Sequence, residues 1–121
     1  MKQFQYIRAY SALLSLDAYK LPMRTAYDIY TLRKKIEPIY MFEVDKEKSL
    51  IDKYKIPISA DGMLAFQNDD VRRRFSEDIK ELKNIEIEME IEPIRVDIHS
   101  FGEQQISPSY FDCLEGFVVF E

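Results

Sequence analysis

The sequence predicts an α+β fold in which helices pack on one face of a small, mostly antiparallel sheet, with one long helix kinked or broken near Pro38. Three observations carry this expectation. Residues 85–92 read Ile-Glu-Ile-Glu-Met-Glu-Ile-Glu, a strict alternation of apolar and acidic side chains. Such alternation belongs to a strand with one buried and one wet face. Beyond Pro93 the apolar residues are Ile94, Val96 and Ile98, so the phase flips from odd to even positions. A flip at a proline marks a bulge, a corner or a break between strands. Finally, Val71, Phe75, Ile79 and Leu82 stand at i, i+4, i+8 and i+11, the spacing of a helix with one apolar stripe.

The elements follow in order. Phe4 and Tyr6 alternate with Gln3 and Gln5, which reads as a short strand over residues 2–8. Ser11 is the N-cap expected for a short helix through Tyr19. Leu21-Pro22 stops that helix, and Pro22 suits the first turn of the next. Residues 22–54 form the longest helical tract, with Met23, Ala26, Tyr27 and Tyr30 opening an apolar stripe that Ile36, Tyr40, Val44, Ile51 and Tyr54 continue. Pro38 interrupts it and costs ~3 kcal/mol if the helix runs through, so one bent helix and two packed helices are both open. Ile56-Pro57 ends the tract, Asp61-Gly62 signals a turn, and Met63 to Phe66 reads as a short strand. Asn68 caps a helix from Asp69 to about Leu82, whose first-turn acids favour the helix N-terminus. Strands over 85–91 and 94–99 come next. Ser107-Pro108 then opens a short helix through Leu114 that Gly116 closes, and Phe117 to Phe120 forms a last strand or buried tail.

Composition limits what such a chain does. Its 121 residues suit one domain, 1–121, and eight Phe with eight Tyr supply a real core. The net charge of −5 argues against sequence-independent nucleic-acid binding, which normally needs basic excess. The single cysteine, Cys113, has no internal disulfide partner, which fits a reducing, cytoplasmic compartment. The N-terminal residues lack the unbroken apolar core of a signal peptide, and no run approaches the ~18 apolar residues of a membrane span.

Nothing in the chain spells out a reaction. His99 is the only histidine and lies near Asp97; such a pair can exchange protons, but at a strand end it reads as a surface pair. Cys113 sits in an apolar run and reads as a buried, inert thiol. One Cys and one His do not make a zinc site, and Asp61-Gly62 and Asp69-Asp70 lack the ligand spacing of a calcium loop. No catalytic set, cofactor loop or metal site is therefore expected.

Charge and tyrosine point instead to contact surfaces. Carboxylates two residues apart on a strand are ~6.6–6.8 Å apart. That is too wide for neighbours to share a metal easily, and about twice the ~3.4 Å phosphate spacing of one DNA strand. Glu86, Glu88, Glu90 and Glu92 thus read as a solvated face, with contact to a basic partner as the functional alternative. Arg72-Arg73-Arg74 is accounted for by two ladders, Asp69/Arg73/Glu77 and Asp70/Arg74/Asp78. Arg33-Lys34-Lys35 has fewer acids nearby and is the better binding cluster. Most helical tyrosines at this spacing are core residues, but Tyr27 and Tyr30 beside Arg33 make the preferred contact face.

Pro22-Met23-Arg24 entering a long charged helix that ends at Tyr54, Asp61-Gly62, the run from Phe75 to Leu82, Ile85-Glu86-Ile87, and Ile106-Ser107-Pro108 through Leu114 form a pattern. It resembles a group of small, uncharacterised tailed-phage proteins. Pro38 and the strand after Pro93 lie outside that pattern, and the group brings no catalytic residues to carry over. The expectation is a non-enzymatic protein-binding module, encoded by a phage and acting on a host or phage protein, for example as a host-defence inhibitor. Its contact residues would be Tyr27, Tyr30, Arg33, Lys34, Lys35, Glu86, Glu88 and Glu90. A self-associating assembly protein, or a nucleic-acid-directed one using the basic patch or acidic mimicry, are the alternatives. A small enzyme built on His99 and a carboxylate is a third.

Overall fold

A computed structural model of the chain describes residues 1–121. Its elements are α1 (Gln3–Ser15), α2 (Met23–Lys53), α3 (Asp69–Lys83), β1 (Ile94–Val96), α4 (Ser109–Cys113) and β2 (Val118–Phe120), with 3-10 turns at Leu16–Ala18 and Ile98–Phe101. The expected fold class is overturned. The molecule is mostly helical, and its only sheet pairs two three-residue strands in parallel, Ile94 with Val118 and Val96 with Phe120. The core is built between helices rather than between helices and a sheet.

The first correction concerns residues 2–8, which are helix and not strand. Over seven residues the Phe4/Tyr6 alternation competes with a longer helical rhythm. Gln3, Tyr6, Ala9, Leu13 and Leu16 recur at helical spacing and are all buried. Ser11 consequently lies inside α1, where its carbonyl accepts a bond from Ser15 Oγ at 3.1 Å.

The second correction concerns α2, which is one helix and not two. Pro38 has no N–H to give the carbonyl of Lys34. Both residues are exposed, so water can take the freed carbonyl. The inward stripe is also not the one expected. Ile29, Leu32, Ile36 and Ile39 are buried, whereas Met23, Tyr27 and Tyr30 face out. Two apolar stripes share this helix, and the wholly aliphatic one seals the core.

Helix α3 matches its expectation. Asn68 Oδ1 accepts the Val71 N–H at 2.9 Å, and Phe75 and Leu82 are buried. Phe75 packs with Tyr54 and Phe66 to form a satellite of the main core. The strand expected over 63–66 reduces to a single antiparallel bridge, Ile58 to Leu64. Of the two charge ladders on α3, only Asp70–Arg74 forms, at 3.1 Å; Asp70 also holds Arg73 at 2.7 Å, and Asp78 instead accepts the Tyr54 hydroxyl and lies 3.6 Å from Lys53.

After α3 the chain runs from Ile85 to Glu92 without a turn, but it makes no ladder. Its one bridge is antiparallel, Glu86 to Lys2, with Gln3 N donating to Ile85 O and Ile87 N to Met1 O, each at 2.8 Å. The alternation still orients side chains. Ile87, Met89 and Ile91 pack against the core, and Glu86, Glu88, Glu90 and Glu92 are exposed. At Pro93 the phase flips, and Ile94 and Val96 turn inward. What changes there is the pairing partner, from Lys2 to β2. Ile98 is exposed, because a 3-10 turn capped by Asp97 replaces the expected strand end and brings Phe101 into the core.

The C-terminal residues close the core. Gly116, at φ +84, follows α4 and turns the chain so that Phe117 and Val118 are buried. Tyr6 meets the Phe117 ring edge-on at 5.4 Å, and Tyr10 stacks on Tyr40 at 4.4 Å, joining the C-terminus and α2 to the two flanks of α1.

Two polar groups sit inside this packing. Gln3 is fully buried, and its Nε2 donates to the Ile39 carbonyl at 3.0 Å. Glu43 lies one turn further along α2 and is also buried, with one carboxyl oxygen unpartnered. Burial pushes its carboxyl up; the Lys83 charge opposes this and the Glu47 charge adds to it. A carboxyl with a raised folded pKa destabilises the native state at neutral pH. That penalty disappears as pH falls through the folded pKa toward the unfolded value near ~4.3.

Two outcomes are expected from equilibrium urea unfolding. Pro38→Ala should stabilise the protein by roughly 1–3 kcal/mol, because it restores a helix donor and removes a steric clash; an unchanged midpoint would show that α2 already absorbs the proline. Glu43→Gln should stabilise by about 1 kcal/mol at pH 7. This gain should vanish near pH 4, and a gain of equal size at both pH values would rule out ionisation as its source.

Candidate protein-binding surface

Helix α2 spans 31 residues, and its two sides differ in kind. Ile29, Leu32, Ile36 and Ile39 face α1. On the opposite side Met23, Tyr27, Tyr30, Lys34 and Met41 stand at i, i+4, i+7, i+11 and i+18, again a helical stripe. Met23 is 88% exposed, Tyr27 59% and Tyr30 47%. Large apolar and aromatic side chains aligned on a wet helix face are the composition of an interface core.

The basic cluster divides around this stripe. Arg33 leans off the face, and its Nη1 donates to Asp17 Oδ2 at 2.7 Å, with the arginine side chain only 15% exposed. Its guanidinium carbon lies 5.6 Å from the Tyr30 ring centre. Lys34 Nζ lies 5.8 Å from the same ring on its way to Glu37, 3.0 Å away. That hydrogen bond, and then the Glu37 charge, hold the Lys34 ammonium above its ordinary range. Lys35 is exposed and makes no ion pair. Arg33 and Lys34 thus both lie within cation–π distance of the Tyr30 ring.

The acidic row lies elsewhere, on the segment after α3. Glu86 is 3.6 Å from the Met1 ammonium, while Glu88, Glu90 and Glu92 have no ion pair. Of the expected contact residues, Tyr27, Tyr30 and Lys34 share one exposed face of α2, Lys35 is exposed beside it, Arg33 is turned to Asp17, and Glu86, Glu88 and Glu90 form a separate row. Sequence reasoning grouped Met23 with Tyr27 and Tyr30 without naming it as a contact residue, and it missed Met41 as a member of the stripe. The Met41 signal was present, since it shares that spacing and stands out of step with the aliphatic stripe.

The groups considered for chemistry are differently placed. Asp97 Oδ1 accepts the backbone N–H of His99 at 2.9 Å, so it serves as a turn cap, and His99 is exposed. Cys113 is half-buried rather than buried, and lines a cleft of about 470 Å3 with Phe4, Arg8, Lys83 and Tyr110. No helix is long and apolar enough to cross a membrane. Comparison with protein-family models, curated proteins and solved structures finds no match to the chain.

A double-mutant cycle tests the pairing of Arg33 with Asp17. Asp17→Ala and Arg33→Ala should couple by about 0.2–1 kcal/mol in stability. A coupling of zero would mean that the arginine is not held against Asp17 in solution.

Proposed function

We propose that this chain is a non-enzymatic protein-binding module that engages its partner through the outward face of α2. The observation that carries this reading is the stripe of Met23, Tyr27 and Tyr30 on the side of the helix away from its aliphatic seal. Aromatic side chains lose little conformational entropy on binding and bury much surface, so Tyr27 and Tyr30 are the expected anchors. Lys35 flanks the stripe unpaired, and Arg24 and Lys34, which hold Asp28 and Glu37 at 3.3 and 3.0 Å, lie on the same helix, which suits a partner surface with an apolar groove and an acidic rim. The resemblance to small tailed-phage proteins sets the context, a phage-encoded accessory acting on a host or phage protein.

The test pairs capture with a surface variant. A specific protein retained by the parent chain should bind Tyr27→Ser/Tyr30→Ser about thirtyfold more weakly, the equivalent of about 2 kcal/mol. Unfolding of the variant should be unchanged, since neither ring is in the core. Equal retention by both chains would overturn the proposal. A homodimer seen by sedimentation, and lost in the variant, would reassign the same face to self-association.

A further inference from the structure

The segment after α3 keeps the sidedness of the strand expected over 85–91 but forms no strand beyond a single bridge at Glu86. From Glu86 to Glu92 it carries the alternation of a β-strand, yet the backbone N–H groups of Glu86, Glu88, Glu90 and Glu92 bond to nothing in the chain. The Ile85 carbonyl and both main-chain groups of Ile87 are taken by residues 1–3 along one edge, the Ile85 N–H bonds the Leu82 carbonyl, and beyond Ile87 the N–H groups of Met89 and Ile91 are free as well. In a strand, successive residues direct N–H and C=O to opposite edges, so the even-numbered groups make a second, unpaired edge four residues long. Backbone polar groups of this kind are taken by water or by another chain.

The side chains state which chain. Each residue whose main chain lies free on that edge is a glutamate, and an added strand would set one of its own side chains beside each carboxylate. Glu88, Glu90 and Glu92 make no salt bridge within the chain. At the one place where the chain pairs this segment, Lys2 lies across from Glu86 but its Nζ donates to Asn84 Oδ1 at 3.3 Å, and it is the Met1 ammonium, 3.6 Å away, that meets the Glu86 carboxylate. A second copy is disfavoured, because it would place Glu against Glu. On the inward side of its start, a cleft of about 270 Å3 is lined by Gln3, Pro38, Ile39, Phe42, Ile85 and Ile87.

We propose that Glu86–Glu92 is a strand edge that takes up an extended segment of another protein carrying Lys or Arg at alternate positions between apolar residues. Binding is by β-augmentation: main-chain bonds supply the grip and the glutamate row selects the sequence. The inference rests on the reading of this chain as a binding module, but it uses a surface separate from Tyr27 and Tyr30.

The test titrates the full chain with fluorescent nine-residue peptides of alternating Lys and Val. Two controls have the same composition, one with its lysines and valines in separate blocks and one N-methylated at alternate backbone positions. The alternating peptide should bind saturably, at least about tenfold tighter than either control, and more weakly as salt rises. Amide exchange at Glu88 and Glu90 should slow about tenfold in the complex. Glu88→Lys/Glu90→Lys, both at exposed positions, should lose about tenfold or more in affinity. Equal binding of all three peptides, unchanged exchange at these amides, or a homodimer protected at this segment would each overturn the proposal. Tyr27→Ser/Tyr30→Ser should keep peptide binding unchanged. Failure of the peptide would therefore remove the strand edge and leave the α2 face standing.

Discussion

The structure depends on the burial of α1. Ala9 and Leu13 are fully enclosed, and the helix touches α2, α3 and α4. Its small residues, Ala9 and Ala12, let neighbours approach while Tyr6, Leu13 and Leu16 fill the space between them. Fully burying an aliphatic or aromatic side chain stabilises by about 1.5–3 kcal/mol, so this helix and its neighbours hold most of the core energy. Gln3 adds direction to that packing. Its amide, closed off from water, is anchored by the Ile39 carbonyl, which fixes the start of α1 against the middle of α2.

That constraint sorts the surfaces of α2. Once α1 covers Ile29, Leu32, Ile36 and Ile39, the Met and Tyr stripe has no element left to meet and stays wet. Pro38 falls among exposed residues, where water can compensate a missing helix bond. Glu43 falls on the covered side, where water cannot, and its carboxyl is held above the usual range. One helix thus carries a defect that its position forgives and a charge that its position penalises.

The C-terminal half adapts to the helices rather than organising them. Phe101, Leu114, Phe117 and Val118 complete the core, and β1 and β2 pair over three residues only. The segment before Pro93 is pressed against the core by Ile87, Met89 and Ile91, and its backbone is tied only at its start. Sidedness and pairing are separable properties of a strand. Here the first is satisfied by the helices and the second is left open by the fold.

Local rules were legible from the residues. The α3 cap at Asn68 and its apolar stripe, the limits of α2 beside Pro22 and Pro57, the inward and outward sides of 85–92 and the phase flip at Pro93 all depend on neighbours within a few positions. The same rules misread residues 2–8, because seven residues of alternation fit a strand as well as a helix, and the helical rhythm of Gln3, Tyr6, Ala9, Leu13 and Leu16 shows only over the whole of α1. They also expected a sheet where the partner strands never come together. For the proposed contact surfaces, Tyr27, Tyr30 and the glutamate row could be named from sequence, and Met23 grouped with the tyrosines, but not that Arg33 turns to Asp17 or that Met41 extends the stripe. By itself the sequence determined which positions share a face and where helices end, since these follow from backbone geometry and nearest neighbours. Tertiary structure alone decided which of two apolar stripes is covered, because that depends on where an element distant in the chain arrives.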